Sequence, residues 1–128
     1  MTHQAITTSD APGAVGPYSP AVSFEGGAML FVSGQIAIDP ATGMILTGSV
    51  AEQTERVLKN LRALLEVGGS GMDRVLKTTV FLVDMNDFGA MNEVYAQHFP
   101  GVKPARSTVE VRRLPKDVKV EIEAIAAI

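Results

Sequence analysis

Arg106 is the residue whose type and position most strongly indicate chemistry. It lies near the start of residues 104–111, where side chains of different character alternate with period two, a pattern that predicts a β-strand. Pro104 restricts the backbone just before it. A guanidinium on such a stiff base can hold a carboxylate through two parallel hydrogen bonds. The same position also suits a surface charge or one half of an ion pair, so spacing alone leaves both interpretations open.

Glu121 and Glu123 form a second candidate group. They lie in residues 118–125, which alternate in the same way, so both carboxylates project from one face of a second predicted strand. A short turn containing Pro115 joins the two strands. Carboxylates can exchange protons with water during a reaction, but glutamates on a polar strand face are also commonly solvated. The spacing does not decide which glutamate carries chemistry.

Several other kinds of site are excluded by what the sequence lacks. It contains no cysteine, which rules out disulfides, thiolate metal sites and a cysteine nucleophile. Its two histidines, His3 and His98, are far apart and do not predict a metal pair. The glycine-rich segment 68–71 is not followed by Lys-Ser or Lys-Thr, so it does not predict a nucleotide site. We therefore expect no metal and no cofactor.

The composition is that of a globular protein. A length of 128 residues suits one domain, assigned to 1–128, with 1–15 as an N-terminal arm. Hydrophobic residues make up 46% and charged residues 20%, and the net charge of −3 does not favour nucleic acid or an anionic membrane as a partner. No apolar run approaches the length of a membrane span. We expect a cytoplasmic protein that acts on a small molecule.

The pattern of breakers and periodic segments predicts five strands and two helices. Ser49 and Glu52 fit a capping box at the start of the first helix, and Gly68 provides its end. Gly26 and Gly27 predict a hairpin turn between the first two strands. The predicted elements, in order strand, strand, helix, strand, helix, strand, strand, span 21–25, 28–33, 50–67, 75–83, 88–99, 104–111 and 118–125.

This order predicts an α+β fold, a two-layer sandwich in which both helices cover one face of a mixed sheet. Residues 28–33 are apolar on both strand faces, which predicts burial on both sides. Gly34 follows them and indicates a bulge or a close approach of backbone. No further element remains to cover the second sheet face, so we expect self-association, most simply as a closed ring.

Five separated motifs together resemble the Rid family, the reactive intermediate deaminases also called YjgF or endoribonuclease L-PSP. The resemblance runs from about residue 11 to 126. It is closest to the catalytic RidA branch, because the Arg and the Glu that distinguish this branch are both present. The motifs lie at 16–19, 32–36, 77–81, 104–107 and 114–126.

The resemblance implies a chorismate-mutase-like homotrimer with a central barrel and clefts between subunits. It also implies hydrolysis of 2-imino acids and their enamine tautomers, such as 2-iminopropanoate, to 2-keto acids and ammonia without a cofactor. By position, Arg106 would bind the substrate carboxylate and Glu121 would activate water. Tyr18 would reach the cleft from across the interface, and the rest of the lining implied by the resemblance is Ser33, Gly34, Asn92 and the backbone amide of Ser107.

The sequence departs from the family pattern at two positions. Pro20 stands where many relatives carry Gln, and Ser107 where many carry Cys or Thr. Either change could alter substrate preference. Two other functions stay open: a regulatory or chaperone-like trimer that binds small carboxylates without turnover, and an endoribonuclease that inhibits translation. The acidic balance and the lack of a basic-aromatic stripe argue against the ribonuclease.

Overall fold

A computed structural model describes the chain from residue 2 to residue 128. Over this range the chain forms six strands and two α-helices, with 3₁₀ turns before β4, α2 and β6. The elements are β1 (Thr2–Ile6), β2 (Ala21–Glu25), β3 (Met29–Gln35), α1 (Val50–Val67), β4 (Val75–Leu82), α2 (Phe88–His98), β5 (Ala105–Glu110) and β6 (Val120–Ala127).

Four strands form a mixed sheet in the order β3-β6-β4-β5. β4 and β5 are parallel and are connected through α2, while β6 runs antiparallel to both β3 and β4. Alternate residues of β4 and β6, such as Val80 and Ile122, are fully buried and share one core with α1 and α2. Both helices therefore cover the same sheet face, as the sequence predicts, and the fold is a two-layer α+β arrangement.

α1 follows the predicted bounds because its local signals agree with its packing. The Ser49 hydroxyl accepts from the Glu52 backbone N–H, and the Glu52 side chain accepts from the Ser49 N–H. The helix ends at Gly68, whose N–H bonds to Leu64 O. Its buried stripe faces the sheet and includes Val57, Leu58, Leu61 and Leu65. Neither helix in residues 2–128 has the length and hydropathy of a membrane span.

The sheet face turned away from the helices is called the open face below. It carries the side chains of Lys77, Thr79 and Phe81 from β4 and of Glu121, Glu123 and Ile125 from β6, together with those of Met29, Phe31, Ser107 and Val109. Phe31 is 67% exposed and Met29 is 46% exposed. Within the single chain these residues are exposed on this face because neither helix reaches it, so the burial of residues 28–33 on both sides by self-association stays a prediction.

The predicted hairpin between the first two strands is also wrong. β2 pairs with β1, from Thr2 opposite Glu25 to Ile6 opposite Ala21, and the two form a separate sheet. The arm predicted at 1–15 thus contains a strand. A flexible Gly-Gly link does not itself hold β2 and β3 in register. The backbone of β1 can therefore form hydrogen bonds with β2 in place of β3. In the main sheet β4 separates β5 from β6, so the last two strands flank it and do not pair with each other.

Candidate active site

Arg106 is held on the helix side of β5. Its Nη1 donates a 2.7 Å hydrogen bond to Asn92 Oδ1. Three aromatic rings surround the guanidinium: its carbon lies 4.8 Å from the ring centroid of Tyr95, 5.4 Å from that of Tyr18 and 5.6 Å from that of Phe88. Contacts of this kind attract a cation to the ring face. The side chain is therefore fixed in position, although the residue is only partly buried.

α2 supplies most of these contacts. Phe88, Asn92 and Tyr95 are spaced four and three residues apart, so they lie on one side of the helix, the side that faces β5. The Tyr95 hydroxyl is paired at 2.7 Å with the Thr78 hydroxyl, and both residues are fully buried. Burial raises the pKa of Tyr95 to about 12. Tyr95 is thus a neutral, buried support for the arginine.

The charge of Arg106 has no acidic partner in the part of the chain that the structure describes. The ion pairs found there join Lys59 to Glu55 and Arg113 to Asp117, and the Glu55 carboxylate also lies 2.8 Å from His98 Nε2. Burial lowers the pKa of Arg106, but a guanidinium remains protonated at any ordinary pH. A partly buried cation that is bonded to a neutral amide is suited to bind an anion, and a carboxylate has the matching two-oxygen geometry.

A pocket of about 190 Å³ opens beside the guanidinium, lined by Val15, Tyr18, Phe88, Arg106 and Thr108. Tyr18 reaches it because the next residue, Ser19, is anchored: its N–H donates to Pro104 O at 3.0 Å. The expectation that Tyr18 comes from across an interface is thus not met for this arginine, since the Tyr18 ring of the same chain already packs on it.

Glu121 lies on the open face, level with Phe81 of β4 and beside a bulge in β3. The β3–β6 register shifts between Val32 and Gln35, where Gly34 lies. A Cβ atom added to Gly34 would come within 2.8 Å of Glu121 Cδ and still closer to its carboxylate oxygen. The bulge predicted at this glycine is therefore confirmed, and the group that approaches it closely is the Glu121 side chain and not another backbone segment.

The surroundings of Glu121 shift its pKa upward. Burial raises the pKa of Glu121, and the negative charge of Glu123 two residues away raises it further. Glu123 is the more exposed of the two. A carboxyl group whose pKa is moved toward neutral pH is better able to accept and return a proton than an ordinary surface glutamate.

One chain does not bring Arg106 and Glu121 together. Arg106 is level with Thr78 and faces the helices, whereas Glu121 is level with Phe81 and faces away from them. Two strand spacings and three residues separate their Cα atoms by roughly 14 Å. The candidate residues therefore form two groups. The arginine half-site consists of Tyr18, Phe88, Asn92, Tyr95 and Arg106, and the glutamate half-site of Gly34 and Glu121. Ser33 precedes Gly34 in β3 and is exposed, so its place in the site stays a prediction.

The side chains of Ser107 and Thr108 lie on opposite faces of β5, and a role for the Ser107 backbone amide stays a prediction. The Ser107 side chain is exposed on the open face, 3.4 Å from Lys77 Nζ, while Thr108 lines the Arg106 pocket. Period-two alternation places Thr108 on the same strand face as Arg106, which is the sequence feature that indicates its position. Helical periodicity places Phe88 and Tyr95 on one side of α2, but a helical pattern does not show that a cation lies against that side.

Elsewhere in the described chain there is little that resembles a catalytic group. No cluster of three His, Asp or Glu side chains suited to a metal ion occurs within residues 2–128. A larger pocket, about 360 Å³, lies between the C-terminal ends of α1 and α2 and is lined in part by Arg62, Asp73 and His98. It shares no lining residue with the Arg106 pocket, and His98 is engaged with Glu55 at 2.8 Å.

Comparison with known proteins identifies the family. The family model described as Endoribonuclease L-PSP matches residues 8–128. The chain belongs to this family, also named Rid or YjgF. The RutC family protein PH0854 of Pyrococcus horikoshii is 54% identical over 123 residues, which cover 96% of either chain. A mouse protein named 2-iminobutanoate/2-iminopropanoate deaminase is 46% identical over 126 residues, covering 98% of this chain and 92% of that one.

Solved structures of Rid relatives share the fold. A protein of the conserved Rid family from Yersinia pestis, YyfA, has a TM-score of 0.77 at 45% identity, covering 99% of this chain and 100% of that one. Escherichia coli TdcF, solved with bound serine, has a TM-score of 0.75 at 44% identity, covering 98% of both chains. The resemblance found in the sequence motifs is thus confirmed for this Rid protein.

Proposed function

We propose that this Rid protein hydrolyses 2-imino acids, such as 2-iminopropanoate, to 2-keto acids and ammonia. The observation that carries the proposal is the Arg106 guanidinium, held by Asn92 and three aromatic rings at a small pocket and without an acidic partner in residues 2–128. Three mammalian relatives that are 44%, 46% and 47% identical to this chain are named 2-iminobutanoate/2-iminopropanoate deaminase, and they support the reaction class.

Binding of the substrate carboxylate by Arg106 would place the imine carbon one bond away from a fixed point. Holding an electrophile in a defined position can lower a barrier substantially, because the entropic cost of orientation is met on binding. The aromatic rings of Tyr18 and Phe88 would flank the short side chain of the substrate. Selectivity for acidic imines over neutral ones follows from the same contact.

Glu121 would supply the proton transfers. Its carboxylate accepts a proton from water as the water oxygen bonds to the imine carbon and the C=N bond becomes a C–N bond. That proton then goes to nitrogen. The carboxylate next takes the remaining proton of the added hydroxyl and passes it to nitrogen as well, so that the C–N bond breaks, ammonia leaves and the oxygen forms the keto group. Water and imine are the only reactants, and Glu121 ends in its starting state. General acid–base catalysis of this type contributes about 10²–10⁴-fold.

The two half-sites would meet between chains. Arg106 lies on an edge strand and Ser33 and Gly34 lie on the opposite edge strand, so neighbouring chains in a ring can place the arginine half-site of one against the glutamate half-site of the next. We propose a homotrimer in which the open faces line a central barrel. The exposed apolar side chains of Met29, Phe31 and Val109 would be covered by this association.

The direct test generates 2-iminopropanoate in place, by oxidising alanine with an amino-acid oxidase, and follows its decay with and without the protein. A trapping nucleophile reports the remaining imine, and pyruvate and ammonia report the products. We expect faster decay with equal release of both products. Binding of pyruvate without any acceleration would overturn the enzyme proposal and favour a carboxylate-binding trimer.

A further inference from the structure

Thr78 and Tyr95 form a buried pair of hydroxyl groups beside Arg106. The two oxygens are 2.7 Å apart, and both residues are fully buried. Thr78 comes from the motif at 77–81 and is level with Arg106 on the neighbouring strand β4, so the two side chains share one face of the sheet. Among residues 2–128, each hydroxyl has the other as its only hydrogen-bond partner.

A hydroxyl pair in this place calls for a physical reason. The core around it is apolar and includes Val80, Met91 and Phe99, whose ring centroid lies 4.6 Å from that of Tyr95. A phenylalanine in place of Tyr95 would fill nearly the same volume without burying a polar group. A hydrogen bond differs from apolar packing because it is directional, so it fixes the tilt of the ring as well as its depth in the core.

The Tyr95 ring is the most firmly held of the three rings around the Arg106 guanidinium. It lies closest, at 4.8 Å, and is fully buried, whereas Tyr18 belongs to a loop and Phe88 is the half-buried first residue of α2. Arg106 makes one side-chain hydrogen bond within the described residues, to Asn92. A single bond allows the planar group to turn about it, so the contact with the Tyr95 ring limits its orientation.

We propose that Thr78 is a positioning residue, whose hydroxyl holds the Tyr95 ring and thereby orients the Arg106 guanidinium toward the substrate carboxylate. Neither hydroxyl contacts the ligand. This inference rests on the proposed function of Arg106 as the carboxylate anchor. Two parallel hydrogen bonds to a carboxylate require a defined guanidinium plane, so a ring that shifts weakens the contact although the charge is unchanged.

The test is a double-mutant cycle on kcat/KM for 2-iminopropanoate. Thr78→Val keeps the shape and removes the hydroxyl, so it should lower kcat/KM about 5- to 10-fold, the effect of one hydrogen bond. Thr78→Ser keeps the hydroxyl and should regain most of this loss. If Thr78 acts through Arg106, Thr78→Val in the Arg106→Lys background should lower kcat/KM less than about 2-fold further. An equal fall in both backgrounds, or no fall in the wild type, overturns the proposal.

Tyr95→Phe is the second variant, because it removes the other hydroxyl and keeps the ring. It should show the same dependence on Arg106 in the same cycle. Combining Thr78→Val with Tyr95→Phe removes both hydroxyls, which leaves neither of them buried without a partner. The melting temperature of this double variant should return toward that of the wild type while kcat/KM stays low. Recovery of kcat/KM together with the melting temperature would show a role in stability alone and overturn the proposal.

The orientation of Arg106 can also be followed without turnover. Its Nε–Hε signal in a ¹⁵N NMR spectrum, identified as the signal that Arg106→Lys lacks, is sensitive to the adjacent aromatic rings. This signal should move in Thr78→Val and in Tyr95→Phe, whereas that of the exposed Arg113 should stay in place. An unmoved Arg106 signal overturns the proposal. If the signal moves but no imine is hydrolysed, positioning by Thr78 stands and the enzymatic function fails, so the two hypotheses are tested separately.

Discussion

Arg106 is a guanidinium and not merely a positive charge at its position. The rings of Tyr18, Phe88 and Tyr95 pack around a planar group, and Asn92 fixes one of its nitrogens. An ammonium on a lysine is a compact point charge that cannot make two parallel hydrogen bonds. We predict that Arg106→Lys lowers kcat/KM for 2-iminopropanoate about 100-fold although the charge is kept.

Arg113→Lys is the matched control for this prediction. Arg113 is exposed and is paired with Asp117 at 2.6 Å, away from either half-site. The same substitution there should leave turnover close to that of the wild type. Near-wild-type hydrolysis by Arg106→Lys would show that Arg106 has only a structural role.

Glu121 and Glu123 share a strand face but differ in their surroundings. Glu121 is the less exposed and lies against Gly34, so it is the one we assign to proton transfer. We predict that Glu121→Gln lowers kcat by about 10²-fold or more, and leaves pyruvate binding nearly intact because Arg106 is unchanged. Glu123→Gln should keep most of the turnover. The opposite pattern in a steady-state assay would mean that the assignment is wrong.

The pH dependence of kcat provides a further measurement on the same group. Burial and the charge of Glu123 raise the pKa of Glu121 above the ordinary value of 4.5. Because the ionised form accepts the proton from water, kcat should fall as pH decreases through this raised pKa. Glu123→Gln removes one of the two causes, so the acid limb should move to lower pH. The acid limb should be absent from the residual activity of Glu121→Gln.

At the scale of elements, the bulge in β3 determines where the Glu121 carboxylate lies. A methyl group at Gly34 would collide with the end of that side chain and not with backbone. We predict that Gly34→Ala displaces the carboxylate and lowers kcat about 10- to 100-fold, because small misplacements of a reacting group are costly. The melting temperature should change little, since a flexible side chain can move away.

Gly27→Ala is the control for the bulge. An added Cβ at Gly27 meets no atom within 4 Å, so this variant should keep wild-type kcat. If Gly34→Ala retains full turnover as well, the contact between Gly34 and Glu121 does not matter for the reaction.

At the scale of the whole molecule, the separation of the half-sites makes a specific prediction. Arg106 and Glu121 face opposite sides of one sheet, so a working site would take each from a different chain. Mixed trimers refolded from equal amounts of Arg106→Ala and Glu121→Gln chains should regain about a quarter of wild-type activity, because a quarter of random interfaces pair two intact half-sites. Activity is measured before and after mixing.

Each variant refolded alone is the control and should stay inactive. Light scattering coupled to size exclusion should give about three times the chain mass of 13.5 kDa for the wild type and both variants. A fully active monomer, or mixed trimers without regained activity, would contradict a site shared between chains.

The sequence by itself determined the parts of this protein that depend on local patterns. The capping box at Ser49 and the apolar stripe of α1 define the helix at 50–67, and alternation assigns Arg106 and Glu121 to strands. Gly34 indicated an irregularity in its strand, because a residue without a side chain leaves room for a close contact. The structure has both a bulge and the Glu121 side chain at this position. The motifs around these residues were sufficient to identify the family, since they fall in a fixed order along nearly the whole chain.

Only the tertiary structure decided how these parts are combined. Periodicity gives the face of a residue within its own strand, but not which strands become neighbours. The insertion of β4 between β5 and β6, and the pairing of β2 with β1, therefore had to be observed. The same limit applies to the site. The α2 side chains around Arg106, the position of Thr108 beside it, and the opposite orientations of Arg106 and Glu121 arise from contacts between segments far apart in the chain, where hydrogen bonding and packing select one arrangement.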